Sequence, residues 1–320
     1  MKASKITSAL SALIDSKIPS FLWGPPGIGK SSIVKKLADD KSLEFIDLRL
    51  SLMDKIDLNE VSFPKEGEGI LFLDELDFAP AAVQTSAYRL ILGRTLGEYR
   101  LPKGWSIVAA GDSKTDKETV YKMPVSLANH FVHLEMEVDA KEWKDWAFSA
   151  GIDERIIAYI AYKNEDLFSF DPNLDEKSFS TPRSWELVSR ILQSGMDESL
   201  LLDVISGVIG KNSAVSFLSF TEAAKKLPDI EAIIQKGEAD HPGEADVLYM
   251  LSTVLVSFLL KYNDEENLEN VLKYTLELEP GFAVMIVQDL QRSGVSMEHL
   301  PAFLTWLRKF ASLRGESCQR

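Results

Sequence analysis

The segment Gly24-Pro25-Pro26-Gly27-Ile28-Gly29-Lys30-Ser31 is where residue type and spacing most plainly dictate chemistry. Its glycines let the backbone curl until several N–H groups face one anion. A helix starting near Lys30 adds the partial positive charge of its N-terminus. A lysine at this place reaches β- and γ-phosphate oxygens, and the Ser31 hydroxyl coordinates Mg²⁺. The second cluster is Ile70-Leu71-Phe72-Leu73-Asp74-Glu75, an apolar run ending in two acids. In nucleotide hydrolysis one acid at such a place holds the Mg²⁺ shell and another polarises the attacking water. Asp74 and Glu75 fit these roles in that order. Together the clusters ask for a nucleoside triphosphate, a magnesium ion and a water.

Strands and helices must hold these groups. Residues 5–15 carry Ile6, Leu10 and Leu13 near helical spacing, and 20–23 is a short extended run before the loop. Residues 30–38 place Ile33, Val34 and Leu37 on one helical face. Strands are expected at 45–50, 70–73, 106–110 and 131–134. The unbroken apolar run 70–73 suits a parallel sheet covered on both faces. Residues 80–92 read as a helix with Pro80 near its start, and 95–101 as a hairpin turning at Gly97-Glu98. Strands alternate with helices to about residue 138, the pattern of an α/β domain. Beyond it, helices are expected at 141–150, 153–164, 184–194, 198–209, 213–226, 244–262, 265–276, 280–293 and 299–312. Residues 165–183 and 237–243 read as loops. The expected domains are 1–138, an α/β nucleotide-binding domain; 139–195, a helical lid; and 196–320, a helical C-terminal module. Trp143 and Trp146 are expected to pack in a core or at its rim, and Phe217 and Phe220 in a core.

A chain of 320 residues has room for two domains and a smaller third. Its hydrophobic share of 45% and charged share of 26% are ordinary for a globular protein. The net charge of −14 opposes a non-specific nucleic-acid coat and favours a protein partner. No apolar run reaches the ~18 residues of a membrane span, so no membrane insertion is expected. The first 24 residues lack the apolar stretch of a signal peptide. The single cysteine, Cys318, forbids an internal disulfide and suits the cytoplasm. Four histidines and one cysteine offer no zinc-ligand spacing.

The chain resembles the AAA+ ATPases, and within them the MoxR-like group. The resemblance rests on Gly24 to Ser31, Ile70 to Leu76, Ala79-Pro80 with Val83-Gln84, and Leu96 to Pro102 with Trp105. It continues through Val108 to Gly111, Leu127 to Phe131 and Thr181-Pro182-Arg183-Ser184-Trp185. Gly207 to Gly210, Ala214, Phe217 and Phe220 look like the group's helical extension. The resemblance implies a P-loop AAA+ parallel sheet with helices on both faces, followed by a helical lid and a helical C-terminal module. It implies Mg²⁺-dependent hydrolysis of ATP by a homo-oligomer, usually a hexameric ring, that remodels or activates a client protein in a chaperone-like way. A von Willebrand A-domain partner often accompanies such rings. Carried onto this sequence, the nucleotide-binding residues are Gly24, Pro25, Pro26, Gly27, Ile28, Gly29, Lys30, Ser31, Ser32 and Arg183. Ser31 and Asp74 hold the metal, Glu75 activates water, Asp112 is the strand-end sensor, and Arg183 is the lid sensor. His130 stands where the group has the arginine that enters the neighbouring subunit's site.

The chain departs from the group's pattern at several of these places. Asn is usual at Asp112 and at Asp77. An anionic Asp112 beside a γ-phosphate would be repelled, so it is expected to be protonated or turned toward a cation such as Lys114. Asp77 is read as part of an acidic loop with the same weight as a working residue. His130 is shorter than arginine and only partly charged at neutral pH; if it does not act, Arg94 or Arg100 on the hairpin is next. The short stretch 58–69 reads as a surface loop rather than a pore insertion. Two other readings stay open. One is an ATP-binding assembly protein with little turnover. The other is a nucleic-acid motor or clamp-loader relative, which the acidity opposes.

Overall fold

Five strands are parallel in one sheet, in the order β2-β3-β6-β1-β7. They are β1 (Ser20–Trp23), β2 (Glu44–Arg49), β3 (Gly69–Asp74), β6 (Trp105–Gly111) and β7 (Val132–Glu135). The computed structural model describes residues 1–54, 61, 66–96, 99–112, 123–170 and 177–310. Residues 58–60 and 62–65 of the expected surface loop, Gly97-Glu98, Lys114 and Cys318 lie outside them. β3 and β6 are interior strands and are buried at every residue, so they need apolar side chains on both faces.

Both faces of the sheet are covered. On one, Leu71 and Leu73 of β3 and Ile107 of β6 pack with Val83, Ala87, Leu90 and Ile91 of helix α3 (Ala81–Gly93). On the other lie α1 (Ala3–Asp15) and α2 (Lys30–Asp40), which bury Ile6, Leu10, Ile14, Val34, Leu37 and Ala38. The two-stranded hairpin β4 (Thr95–Leu96) and β5 (Tyr99–Arg100) is antiparallel. A short helix, α4 (Val125–Ala128), leads to β7. The chain leaves β1 for one edge of the sheet and leaves β6 for the other. Crevices at the carboxyl ends of strands near such a reversal are where ligands bind in open α/β sheets.

Contacts divide the chain into two units, Met1–Asp139 and a second that contains Ala140–Phe170 and residues 177–310. The expected boundary at 195/196 falls within the second unit. That unit is helical. Its helices are α5 (Ala140–Ala150), α6 (Glu154–Tyr162), α7 (Pro182–Gln193), α8 (Glu198–Ile209), α9 (Lys211–Thr221) and α10 (Ile230–Lys236). They continue as α11 (Ala245–Tyr262), α12 (Glu265–Thr275), α13 (Pro280–Arg292) and α14 (Pro301–Phe310). The expected helix over 213–226 breaks at Thr221 into a 3₁₀ turn, Glu222–Lys226, ahead of Pro228. The seven-residue α10 had no sequence expectation, being too short for its periodicity to register. Asp229 caps it through the Ala232 N–H, and Gly237 ends it with a φ of +71°.

The core of the second unit is built on α10 to α14, with Leu251, Leu255, Val271, Ile286, Val287, Phe303 and Trp306 fully buried. A smaller aromatic group sets the Tyr159 ring tilted against Trp185 and edge-on to Phe217 and Phe220. Phe217 and Phe220 are therefore core residues. Trp143 is buried, while Trp146 beside it is 39% exposed. One helix, Ala245–Tyr262, is long and apolar enough to cross a membrane by length and composition alone, which corrects the sequence expectation of no such run. Half of that stretch is buried inside the unit, so core packing accounts for its apolarity.

Candidate nucleotide-binding site

The loop between β1 and α2 begins where the sheet ends. Gly29 sits at the helix N-cap with φ +99°, a left-handed conformation that strains any side chain. That turn brings Lys30 and Ser31 into the first turn of α2, whose leading N–H groups have no partner within the helix. Lys30 Nζ donates to the carbonyls of Gly24 at 2.6 Å and Pro25 at 3.1 Å. It also meets Asp112 Oδ1 at 2.7 Å. The Ser31 hydroxyl donates to Asp74 Oδ2 at 3.1 Å. Ser32 points outward and is exposed.

β3 delivers the acids. Asp74, its last residue, is buried. Glu75 follows with φ +56°, and its N–H donates to Asp74 Oδ1. The parallel register sets Arg49 of β2 beside Asp74, so the end of β2 faces Glu75. Ser51 Oγ donates to Glu75 Oε2, and Arg49 Nε lies 3.6 Å from Glu75 Oε1. Asp47 of β2 has its pKa pushed up by burial first, then by the Asp74 carboxylate.

β6 delivers the third group. Asp112 follows Gly111 at the strand end, and its N–H donates to Asp77 Oδ2 at 3.0 Å. Asp77 lies in the turn after β3 and is 1% exposed. Its other oxygen, Oδ1, is buried without a hydrogen-bond partner among the described residues. Burial above all raises its pKa to about 6, with the Asp112 charge adding to the rise and Lys30 opposing it. Gly111 cannot be replaced without movement: a Cβ there would lie 2.4 Å from Asp77 Oδ1 and 2.9 Å from the Phe21 ring. The cation that Asp112 meets is Lys30, where the sequence reading had named Lys114.

The structure thus gathers Lys30, Ser31, Asp74, Glu75 and Asp112 at the carboxyl ends of β1, β3 and β6. The donor set fits its expected ligands. A hydroxyl and a carboxylate 3.1 Å apart supply hard oxygen ligands for Mg²⁺, which takes one or two protein oxygens alongside phosphate and water.

Three further candidates are His130, Arg183 and Arg94. His130 comes just before β7 and is half-buried, with its ring 5.6 Å from that of Tyr88. Arg183 is exposed in the first turn of α7, between the capping-box residues Thr181 and Ser184, and belongs to the second unit. Arg94, the fallback candidate, is turned inward: Nη2 donates to the carbonyls of Pro102 at 2.6 Å and Trp105 at 2.7 Å. Burial lowers its pKa. It braces the hairpin and is not free to reach another subunit, which leaves the exposed Arg100. Sequence reasoning missed Arg49 and Ser51. Their signal was the end of the strand at 45–50, which a parallel neighbour must bring beside the Asp74 end.

Residues 20–89 match the AAA family, the ATPase family associated with various cellular activities. The matched stretch carries β1, the phosphate loop, α2, β2, β3 and most of α3. No curated relative matches the chain. Among solved structures it is similar to the RuvB Holliday junction branch migration motor of Thermotoga maritima, at 15% identity over 82% of this chain and 76% of that one, with a TM-score of 0.41. It is also similar to NtrX from Brucella abortus in complex with ADP, at 14% identity over 96% of this chain and 68% of that one, TM-score 0.42. At these values neither likeness bears on function.

Proposed function

We propose that this chain is a Mg²⁺-dependent ATP hydrolase of the MoxR-like AAA+ group, acting as a ring of six copies, as is usual in that group, that remodels a client protein in the cytoplasm. The observation that carries the hydrolytic part is the convergence of Lys30, Ser31, Asp74, Glu75 and Asp112 on one strand-end crevice. Lys30 would exchange its present oxygen partners for phosphate oxygens. Ser31 and Asp74 would hold the magnesium ion, which supplies charge neutralisation at the phosphates. Glu75 would take the proton of the attacking water once its carboxylate leaves Ser51 and Arg49. The ring, the client, a von Willebrand A-domain partner and the roles of His130 and Arg183 come from the family resemblance.

The test is phosphate release by the purified chain with Mg²⁺ and ATP, run beside mass photometry with and without a slowly hydrolysed analogue. Turnover abolished by Lys30→Ala, with assembly in the presence of the analogue, is the expected result. Absence of turnover in the wild type, with nucleotide still bound, would instead support an ATP-binding assembly protein. That second reading has its own observation: Glu75 is engaged by Ser51 and Arg49, and Lys30 by Asp112.

A further inference from the structure

We propose that Asp77 is a positioning residue that sets the Asp112 carboxylate against Lys30, and that it makes the affinity of the loop for nucleoside phosphates depend on protonation. The proposal rests on the reading of the loop as a nucleotide site and adds a residue to it.

The argument begins with a buried acid that the hydrolytic scheme does not use. Asp77 is buried, and its Oδ2 receives the main-chain N–H of Asp112 at 3.0 Å. That bond fixes the residue leaving β6, so the direction of the Asp112 side chain follows from it. The side chain then ends 2.7 Å from Lys30 Nζ. A residue at 77 without an acceptor would free the Asp112 main chain and unmake this placement. Asp77 touches none of the reacting groups in the scheme; it acts through Asp112.

The second half concerns charge. The charged groups facing Asp77 are Asp112 from the end of β6 and Lys30 from the start of α2. Phosphates drawing Lys30 toward themselves would remove the one cation of this trio and bring further negative charge close. Among the described residues Asp77 Oδ1 is buried with no hydrogen-bond partner, so an anion there is cut off from solvent. Protonation of Asp77 removes the repulsion at that point. Its pKa, raised to about 6 by burial, places the change within an accessible pH range. Below that value Asp77 is neutral and phosphate binding meets one fewer anion. Above it the anion opposes binding.

The experiment measures the dissociation constant of a fluorescent ADP analogue with Mg²⁺ from pH 5.5 to 8 for the full-length wild type, Asp77→Asn and Asp77→Ala. Asparagine keeps an oxygen to accept the Asp112 N–H but carries no charge. Titration of the analogue's own phosphate is common to all proteins and cancels in ratios. The expected ratio of wild-type to Asp77→Asn dissociation constants is near one at pH 5.5 and rises to roughly three- to tenfold by pH 7.5. Asp77→Ala should bind more weakly than Asp77→Asn across the range, because only the asparagine preserves the bond. A ratio that stays flat with pH, or alanine and asparagine variants that bind alike, overturns the proposal while leaving the nucleotide site intact. Failure of the wild type itself to bind would remove the nucleotide reading and the proposal with it. If Asp77→Ala does not fold, the pH course of Asp77→Asn still decides.

Discussion

Both units hold an ammonium against a carboxylate at nearly the same distance, and they use it differently. In the second unit Lys144 of α5 meets Asp289 of α13 at 2.8 Å, and their side chains are only 11% and 5% exposed. The pair is closed between two helices. In the first unit Lys30 meets Asp112 at 2.7 Å, with exposures of 10% and 25%, just past the carboxyl ends of β1 and β6. Lys30 has two backbone carbonyls as further partners. One pair is a clamp; the other is a set of exchangeable bonds. Distance alone does not separate them. What separates them is whether the elements carrying the charges end there or run on past.

The comparison would be broken most severely by Lys30→Ala. We expect at least a hundredfold loss of affinity for a fluorescent ATP analogue with little change in melting temperature, because the charge serves the ligand more than the fold. Wild-type affinity in that variant would end the exchange reading. Glu75→Gln should keep ATP affinity and lower turnover by roughly 10²–10⁴-fold, the usual worth of a positioned base; single-turnover phosphate release measures it. Lys144→Ala should show the reverse signature, a loss of up to about 3–5 kcal/mol of stability from a buried carboxylate left with the more distant Arg292 guanidinium, 3.8 Å away, with nucleotide affinity unchanged in whatever fraction stays folded. Denaturant titration checks this, and a double replacement by Met and Leu should recover most of the loss.

Two smaller effects sharpen the picture. Ser51→Ala removes a hydrogen bond that occupies the Glu75 carboxylate, so basal turnover should rise by roughly two- to fivefold, in line with a bond worth about 0.5–1.5 kcal/mol. Unchanged steady-state rates would mean that Ser51 does not restrain the base. The last concerns stability against pH. Asp77 has a folded pKa of about 6, above its ordinary 3.8. Between these values the unfolded chain gives up the proton while the folded chain keeps it, so stability falls as pH rises from about 4 to 6 and this contribution then levels off. The melting temperature of Asp77→Asn relative to wild type should therefore climb over that window and stay constant above it, as differential scanning fluorimetry would show.

Much of the first unit was legible because its signals are local. The glycine pattern before Lys30 and the buried run before Asp74 each declare their own strand, turn or helix. Asp77, Arg49 and Ser51 were not legible in the same way. Their roles depend on which strand lies beside which, and the β2-β3-β6 order is a property of the assembled sheet. Arg94 was misjudged for a related reason. Its position on a hairpin says nothing of whether the guanidinium turns out or in, and the Pro102 and Trp105 carbonyls decide that. The helix at Ile230–Lys236 escaped because two turns give too few positions for a period to register.

The contact at Gly111 also has a meaning for how this chain can vary. A side chain there would collide with Asp77 and with the Phe21 ring, so three positions far apart in sequence share one small volume. Changes at them are not independent: the order in which substitutions arrive decides which are tolerated, and an alanine at 111 becomes accessible only after the other two have made room. The site is thus tied to the sheet's interior by shape as well as by charge, and drift in one is confined by the other.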